Sequence, residues 1–251
     1  MTTRTSGTTT STSPPSSNSP GLNGPGPLLG APANPLTLPG GALACWTGRA
    51  EGDLGPGAAD NPARRRRAVL DRPWAWASQV HGAQVLVVGE DIPEGPPADA
   101  LVSREFDCAL AVFTADCAPV ALVSAEGPVG AVHAGWRGLQ AGVLATAVEA
   151  MRQLGAIEIT AALGPCIHAE CYEFSPADLT GLVDLLGTSV AGRTSEGAPA
   201  LDVPAAVGQA LGKAGVELTY DIGVCTACST QHWSHRRSGD RQRQAMIVWR
   251  T

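Results

Sequence analysis

Three short stretches each set a metal-capable side chain beside small residues or a turn. "SQVHGAQ" carries His81, "FTADCAPVAL" carries Cys117 and "VHAGWRG" carries His133. Two neutral imidazoles and one thiolate suit Zn²⁺, and three protein ligands leave a fourth position open, as catalytic zinc sites require. Gly82, Ala118 and Ala134 are small neighbours that would let a substrate approach. His81 lies 36 residues before Cys117, and Cys117 lies 16 before His133, so only the fold can bring them together. Each also has an ordinary structural explanation: Cys117 as a buried apolar thiol, His133 as a hydrogen-bonded histidine at a strand end. Cys117 and His133 fit a cysteine nucleophile with its base as well, which leaves His81 without a role.

A second constellation is local. "CTACSTQHWSH" holds Cys225, Cys228, His232 and His235, in the order of a C-x-x-C and H-x-x-H zinc site. The link between the pairs is only three residues. A finger separates them by about 12–15. Four tetrahedral ligands within eleven residues would strain the backbone. The favoured reading is a loop whose "HWSHRRSG" supplies polar groups to a pocket.

The elements that must position these residues are visible as short apolar runs. "VLVVG" (85–89), "CALAVF" (108–113), "PVALVS" (119–124), "VGAVH" (129–133), "ITAALG" (159–164) and "AMIVWR" (245–250) are bounded by turn residues and read as buried strands. Leu139, Val143, Ala147, Met151 and Leu154 recur at helical spacing. "SPADLTGLVDLLG" (175–187) predicts a helix capped by Ser175, with Pro176 in its first turn and Gly187 at its end. "DVPAAVGQALGKAG" (202–215) repeats that plan with Asp202, Pro204 and Gly215. "TSEGAP" (194–199) reads as a loop. The irregular order of strands and helices predicts an α+β fold, mixed or antiparallel sheets packed against helices, as a single domain. "ARRRRAVLDRP" (63–73) reads as a solvated helix face, with an anion-facing arginine as the alternative.

The composition bounds the function. The chain has 251 residues, 44% hydrophobic and 16% charged, enough for a sizeable core. A net charge of −6 argues against a broad nucleic-acid or anionic-membrane surface. No apolar run is long enough to span a membrane. Residues 1–40 are rich in Ser, Thr, Pro and Gly, carry no secretory pattern and read as a disordered tail ahead of a catalytic domain over 41–251. Seven cysteines, an odd number without the spacing of a disulfide scaffold, point to a cytoplasmic protein with reactive or metal-bound thiols.

"QVHG", "TADCAPV", "VGAVHAGWRG", "GPCIHAECYEF" and "HWSHRRSG" occur in the order seen in the bacterial laccase-domain family, once named multicopper polyphenol oxidases. The resemblance spans residues 43–250. Members are described as zinc-dependent purine nucleoside phosphorylases with adenosine deaminase activity, and one branch as peptidoglycan editing factors. The resemblance implies that His81, Cys117 and His133 are zinc ligands, one per motif. It implies a fold related to some cysteine hydrolases. "WTGRAEGDLG" resembles the segment carrying a pocket arginine, here Arg49, and one of Arg64, Arg65, Arg66 and Arg67 falls at a second. Arg49 and Arg137 are then the phosphate-side candidates. Asp116, beside Cys117, is a candidate to orient a ligand.

The implied substrates are purine nucleosides (adenosine, inosine, methylthioadenosine) and phosphate. One alternative is an amidase removing a misincorporated residue from a peptidoglycan precursor. Another is a zinc-stabilised binding protein, which requires a closed four-ligand site. A true laccase conflicts with the composition: multicopper centres need roughly ten histidines, and the chain has five. Copper at the same three ligands is chemically reasonable.

Overall fold

The computed structural model describes residues 1–2, 32, 34–89, 94–105 and 107–251. Most of the stretch read as a tail lies outside the described residues. The strands are β1 Leu36–Leu38, β2 Ala42–Trp46, β3 Trp74–Ser78, β4 Val85–Val88, β5 Glu94–Pro97, β6 Ala100–Ser103, β7 Ala109–Thr114, β8 Ala118–Ser124, β9 Val129–Ala134, β10 Ile159–Leu163, β11 Ala191–Arg193, β12 Pro199–Leu201, β13 Glu217–Asp221 and β14 Gln244–Arg250. The helices are α1 Pro62–Val69, α2 Trp136–Ala141, α3 Val143–Gln153, α4 Pro176–Leu186, α5 Val203–Lys213 and α6 His235–Ser238. Leu36–Leu38, inside the stretch expected to be unstructured, instead pairs antiparallel with β2 and buries Leu36 and Leu38.

Two six-stranded sheets stack face to face. One runs β1-β2-β14-β7-β3-β5 and the other β13-β10-β8-β9-β6-β4. Each mixes antiparallel and parallel pairs, so the fold is α+β as expected. Both faces of the central strands are buried, which explains why they read as continuous apolar runs. In β14, Met246 and Val248 enter the core between the sheets, while Ala245, Ile247 and Trp249 join a core on the outer face, where Val69 and Leu70 pack. In β8, Ala121 and Val123 face the other sheet, and Ala118, Val120 and Leu122 face a third core with residues of α2–α5. The architecture is therefore helix, sheet, sheet, helices.

Local differences from expectation have physical causes. The helix expected from Leu139 begins at Trp136 and breaks at Gly142, whose φ of 84° ends α2 and starts α3. Asp202 caps α5 by accepting from the Ala205 N–H, a bond worth about 1 kcal/mol. Ser175 stands at the N-cap of α4, yet its side chain makes no capping bond. "TSEGAP" closes the β11–β12 hairpin. Among the described residues no helix is long and apolar enough to cross a membrane.

Candidate active site

The site forms where several strand ends meet. After β3 the chain is fastened to β7 by Gln79, whose amide donates to the Phe113 carbonyl and accepts from the Phe113 N–H. His81 follows with a left-handed backbone, φ 60°. That conformation is uncommon for a residue with a side chain and needs support. Asp99, just ahead of β6, provides it. Its buried carboxylate accepts from the backbone N–H groups of Val80 (3.2 Å), His81 (2.9 Å) and Gly82 (2.7 Å). The same carboxylate lies 2.9 Å from Nδ1 of His133, near the end of β9.

Cys117 sits in the tight β7–β8 connection. The β8–β9 register pairs Ala118 with Ala134 and Pro119 with His133, so Cys117 lies over the end of β9. Its Sγ is 3.8 Å from His81 Nε2. The rings of His81 and His133 meet edge to face with centroids 4.9 Å apart. One ligand atom from each of His81, Cys117 and His133 lies within 4.8 Å of the other two. Ligands about 2.0–2.3 Å from a tetrahedral Zn²⁺ stand roughly 3.5 Å apart, so the donor set and its spacing fit the ion. Asp99 stands against Nδ1 of His133, the place carboxylates take behind histidine ligands. Among the described residues no fourth His, Cys, Asp or Glu joins this group.

Gly135 is required by space rather than by conformation. Its φ of −75° suits any residue, but a Cβ there would meet His81 Cδ2 at 2.9 Å and Cys117 Sγ at 3.1 Å. A Cβ on Gly138 would press the Gly82 carbonyl at 3.1 Å.

The electrostatics favour a charged Cys117. Burial opposes the thiolate, yet the charge and hydrogen bonds of His133 and His81 outweigh it and bring the thiol down to about 6. Burial likewise opposes an imidazolium at His133, but the Cys117 thiolate and Asp99 raise it to about 9. Asp99 stays ionised because its bonds to His133 and the loop amides outweigh its burial.

The three residues open into a cleft of about 470 Å³. Phe113, Trp136 and Tyr172 line it with aromatic surface, and Arg137, Arg236 and Arg243 with positive charge. Exposed Arg137 stacks on Trp136, 4.2 Å from its ring, and makes no hydrogen bond among the described residues. Trp136 also faces the cleft and meets Phe174 edge to face. Burial holds the Tyr172 hydroxyl up at about 12, with the Cys117 charge adding to the effect, so it stays a proton donor at neutral pH.

Other expected site residues are placed elsewhere. Arg49 does not line this cleft. It pairs with Asp240 at 2.6 Å, donates to the His232 carbonyl and lies over the Trp233 ring. None of Arg64, Arg65, Arg66 and Arg67 lines it either. Arg66 is buried, donates twice to the Leu54 carbonyl and stacks on Trp76. Asp116 orients no ligand side chain. Its carboxylate accepts from the Thr226 hydroxyl (2.7 Å) and the Arg236 N–H (2.6 Å), fixing the segment that delivers His235 and Arg236 to the cleft. The residues that sequence reasoning missed are Asp99, Tyr172 and Arg243. A lone aspartate before an apolar strand was the available signal for Asp99.

Fold and site define an α+β protein with a candidate three-ligand metal centre in an arginine-rimmed cleft. The chain belongs to the multi-copper polyphenol oxidoreductase laccase family, whose model matches residues 48–251. It is 43% identical over 181 residues to a purine nucleoside phosphorylase of Streptomyces coelicolor, covering 69% of this chain and 74% of that one. It is 41% identical over 213 residues to one of Streptomyces griseus, covering 78% and 86%. A crystal structure of a Neisseria meningitidis protein of the DUF152 family superposes with a TM-score of 0.74 at 28% identity, over 85% of this chain and 96% of that one.

Proposed function

We propose that this protein is a zinc-dependent purine nucleoside phosphorylase of the cytoplasm, acting on adenosine, inosine and methylthioadenosine, with adenosine deaminase activity at the same site. The observation that carries the reading is the meeting, in one cleft, of the His81–Cys117–His133 group, three aromatic faces and three arginines. The names of the relatives support it. His81, Cys117 and His133 would hold the ion, which when bound supplies Lewis acidity and positive charge toward phosphate or water.

The chain's own residues account for the rest. Phe113, Trp136 and Tyr172 offer flat apolar surface suited to a purine. Arg137, Arg236 and Arg243 offer a cationic rim for phosphate. In phosphorolysis a phosphate oxygen bonds to the ribose C1′ as the bond to the purine nitrogen breaks, and the base leaves with that electron pair and takes up a proton. Positive charge on the phosphate side holds the nucleophile in line. Fixed arginines do this without reorganising during the reaction.

The test is a product assay on protein of defined metal content, with each nucleoside, with and without phosphate. Phosphate-dependent release of free purine is expected, along with inosine from adenosine without phosphate. No base release from any of the three would overturn the reading.

A second reading has one specific observation behind it. Cys117, His133 and Asp99 stand in the order of a nucleophile, its base and an orienting acid, with the thiol already depressed. It would make the protein an amidase, such as one trimming a peptidoglycan precursor. Full activity after exhaustive chelation, with stoichiometric trapping of Cys117 by an alkylating reagent, would favour it over the metal reading.

A further inference from the structure

Cys225 and Cys228 do not gather His232 and His235 around them. His232 bonds Ser229 through Nδ1, and His235 Nδ1 faces the Asp240 carbonyl. The two cysteines meet a different partner instead. The turn Ala169–Cys171 brings Glu170 and Cys171 against them, and one ligand atom from each of Glu170, Cys171, Cys225 and Cys228 lies within 4.8 Å of the other three. Cys171 Sγ is 3.3 Å from Cys228 Sγ, and Cys228 Sγ is 3.8 Å from Glu170 Oε1. Four ligands around a tetrahedral Zn²⁺, with Zn–S near 2.3 Å, stand about 3.8 Å apart.

Three further features separate this cluster from a chance grouping. A disulfide would join only two of the three sulfurs, and all three cysteines are free. The backbone N–H of His168 donates to Cys225 Sγ at 3.4 Å, the kind of bond that stabilises a metal thiolate. Glu170 sets a carboxylate beside the sulfurs, and no Lys or Arg pairs with it among the described residues; its nearest ring nitrogen is His168 Nδ1, 3.8 Å from Oε1. Three cysteine sulfurs and a carboxylate in one place, the thiols giving up their protons as the ion binds, suit a soft divalent cation.

We propose that Cys171, Cys225, Cys228 and Glu170 form a second zinc site, closed by four protein ligands and structural in purpose. It ties two segments distant in sequence. Tyr172 follows one ligand directly, and His235 and Arg236 follow the other pair on the segment held by Asp116. The ion would therefore cross-link the two stretches that form one wall of the cleft. The site stands independently of the His81–Cys117–His133 group and shares no residue with it.

Metal analysis of the reduced, full-length protein supplied with zinc tests this. Two equivalents are expected in the native chain, one in Cys225→Ser, one in His133→Ala and none in the double variant. In the His133→Ala background, cobalt substitution should give sulfur-to-metal charge-transfer bands of three-thiolate intensity that vanish on adding Cys225→Ser. Because a variant can fail to fold, the native chain provides a separate readout. Exposed Cys228 should resist alkylation while loaded and react after chelation, as followed by peptide mass. An equivalent of zinc kept by His133→Ala and lost on adding Cys225→Ser upholds this site whatever happens at the other. Rapid alkylation of Cys228 in fully zinc-supplied native protein would overturn it, as would a Cys171–Cys228 disulfide found in protein prepared under reductant.

Discussion

Asp99 and His133 share a hydrogen bond of 2.9 Å that is wholly shielded from water. The same oxygen of Asp99 accepts from the His81 backbone at 2.9 Å, so one carboxylate holds two of the three candidate ligands. Asp99→Asn would set a donor amide against the N–H groups of Val80 and Gly82 and remove the charge behind His133. We expect zinc affinity to fall about 10–100-fold, as measured by competition with a chromogenic chelator. Unchanged affinity would deny Asp99 its positioning role.

Gly135 separates crowding from backbone strain. Gly135→Ala keeps an allowed φ but places a methyl group against His81 and Cys117. Zinc content should drop sharply while the far-ultraviolet circular dichroism stays native. Full zinc occupancy in this variant would show that the three ligands can be rearranged without loss.

Arg137→Ala should leave zinc content intact. Loss of one charge-assisted anion contact costs about 1.5–3 kcal/mol, roughly tenfold to a hundredfold in phosphate-dependent turnover. Deamination of adenosine, which needs no phosphate, should change far less. Parallel kinetics of the two reactions decide the matter, and equal losses would move Arg137 from the phosphate to the nucleoside or the fold.

The metal-free protein has a distinctive pH dependence. With the Cys117 thiol lowered to about 6 and His133 raised to about 9, the thiolate–imidazolium pair predominates between those values. Alkylation of Cys117 should rise with pH through about 6 and then level off. An ordinary thiol would keep rising to about 8.5. In His133→Ala the midpoint should move up, because the largest favourable contribution to the thiolate is gone while burial still opposes it. An unmoved midpoint would mean that another group sets the thiol.

The sequence reveals the interior of the fold better than its margins. β7, β8, β9 and β14 are legible because both their faces are buried, leaving no polar alternation to confuse the reading. β1, β11 and β12 are three-residue pieces, too short for any period to declare itself. The break between α2 and α3 is invisible in the apolar spacing, since Gly142 interrupts the backbone without interrupting the buried stripe. His81, Cys117 and His133 are legible by type, while their meeting depends on the β8–β9 register and the Asp99 anchor. Arg49 lies outside the cleft, and its type alone does not tell an arginine bound for an anion from one stacked on Trp233. The spacing of Cys225 and Cys228 points to His232 and His235 nearby, whereas Cys171 comes from the far side of α4 and α5 in the chain.

Asp116 has a mechanical consequence. It adjoins Cys117, and its carboxylate grips Thr226 and the Arg236 amide while its carbonyl accepts from Ile167. Floor and side wall are thus bolted together at one residue, itself held at φ 95°. A wall so mounted behaves as a door jamb and not as a door. Access to the cleft then lies over the exposed rim at His81, Arg137 and His235, and not through a swing of this wall.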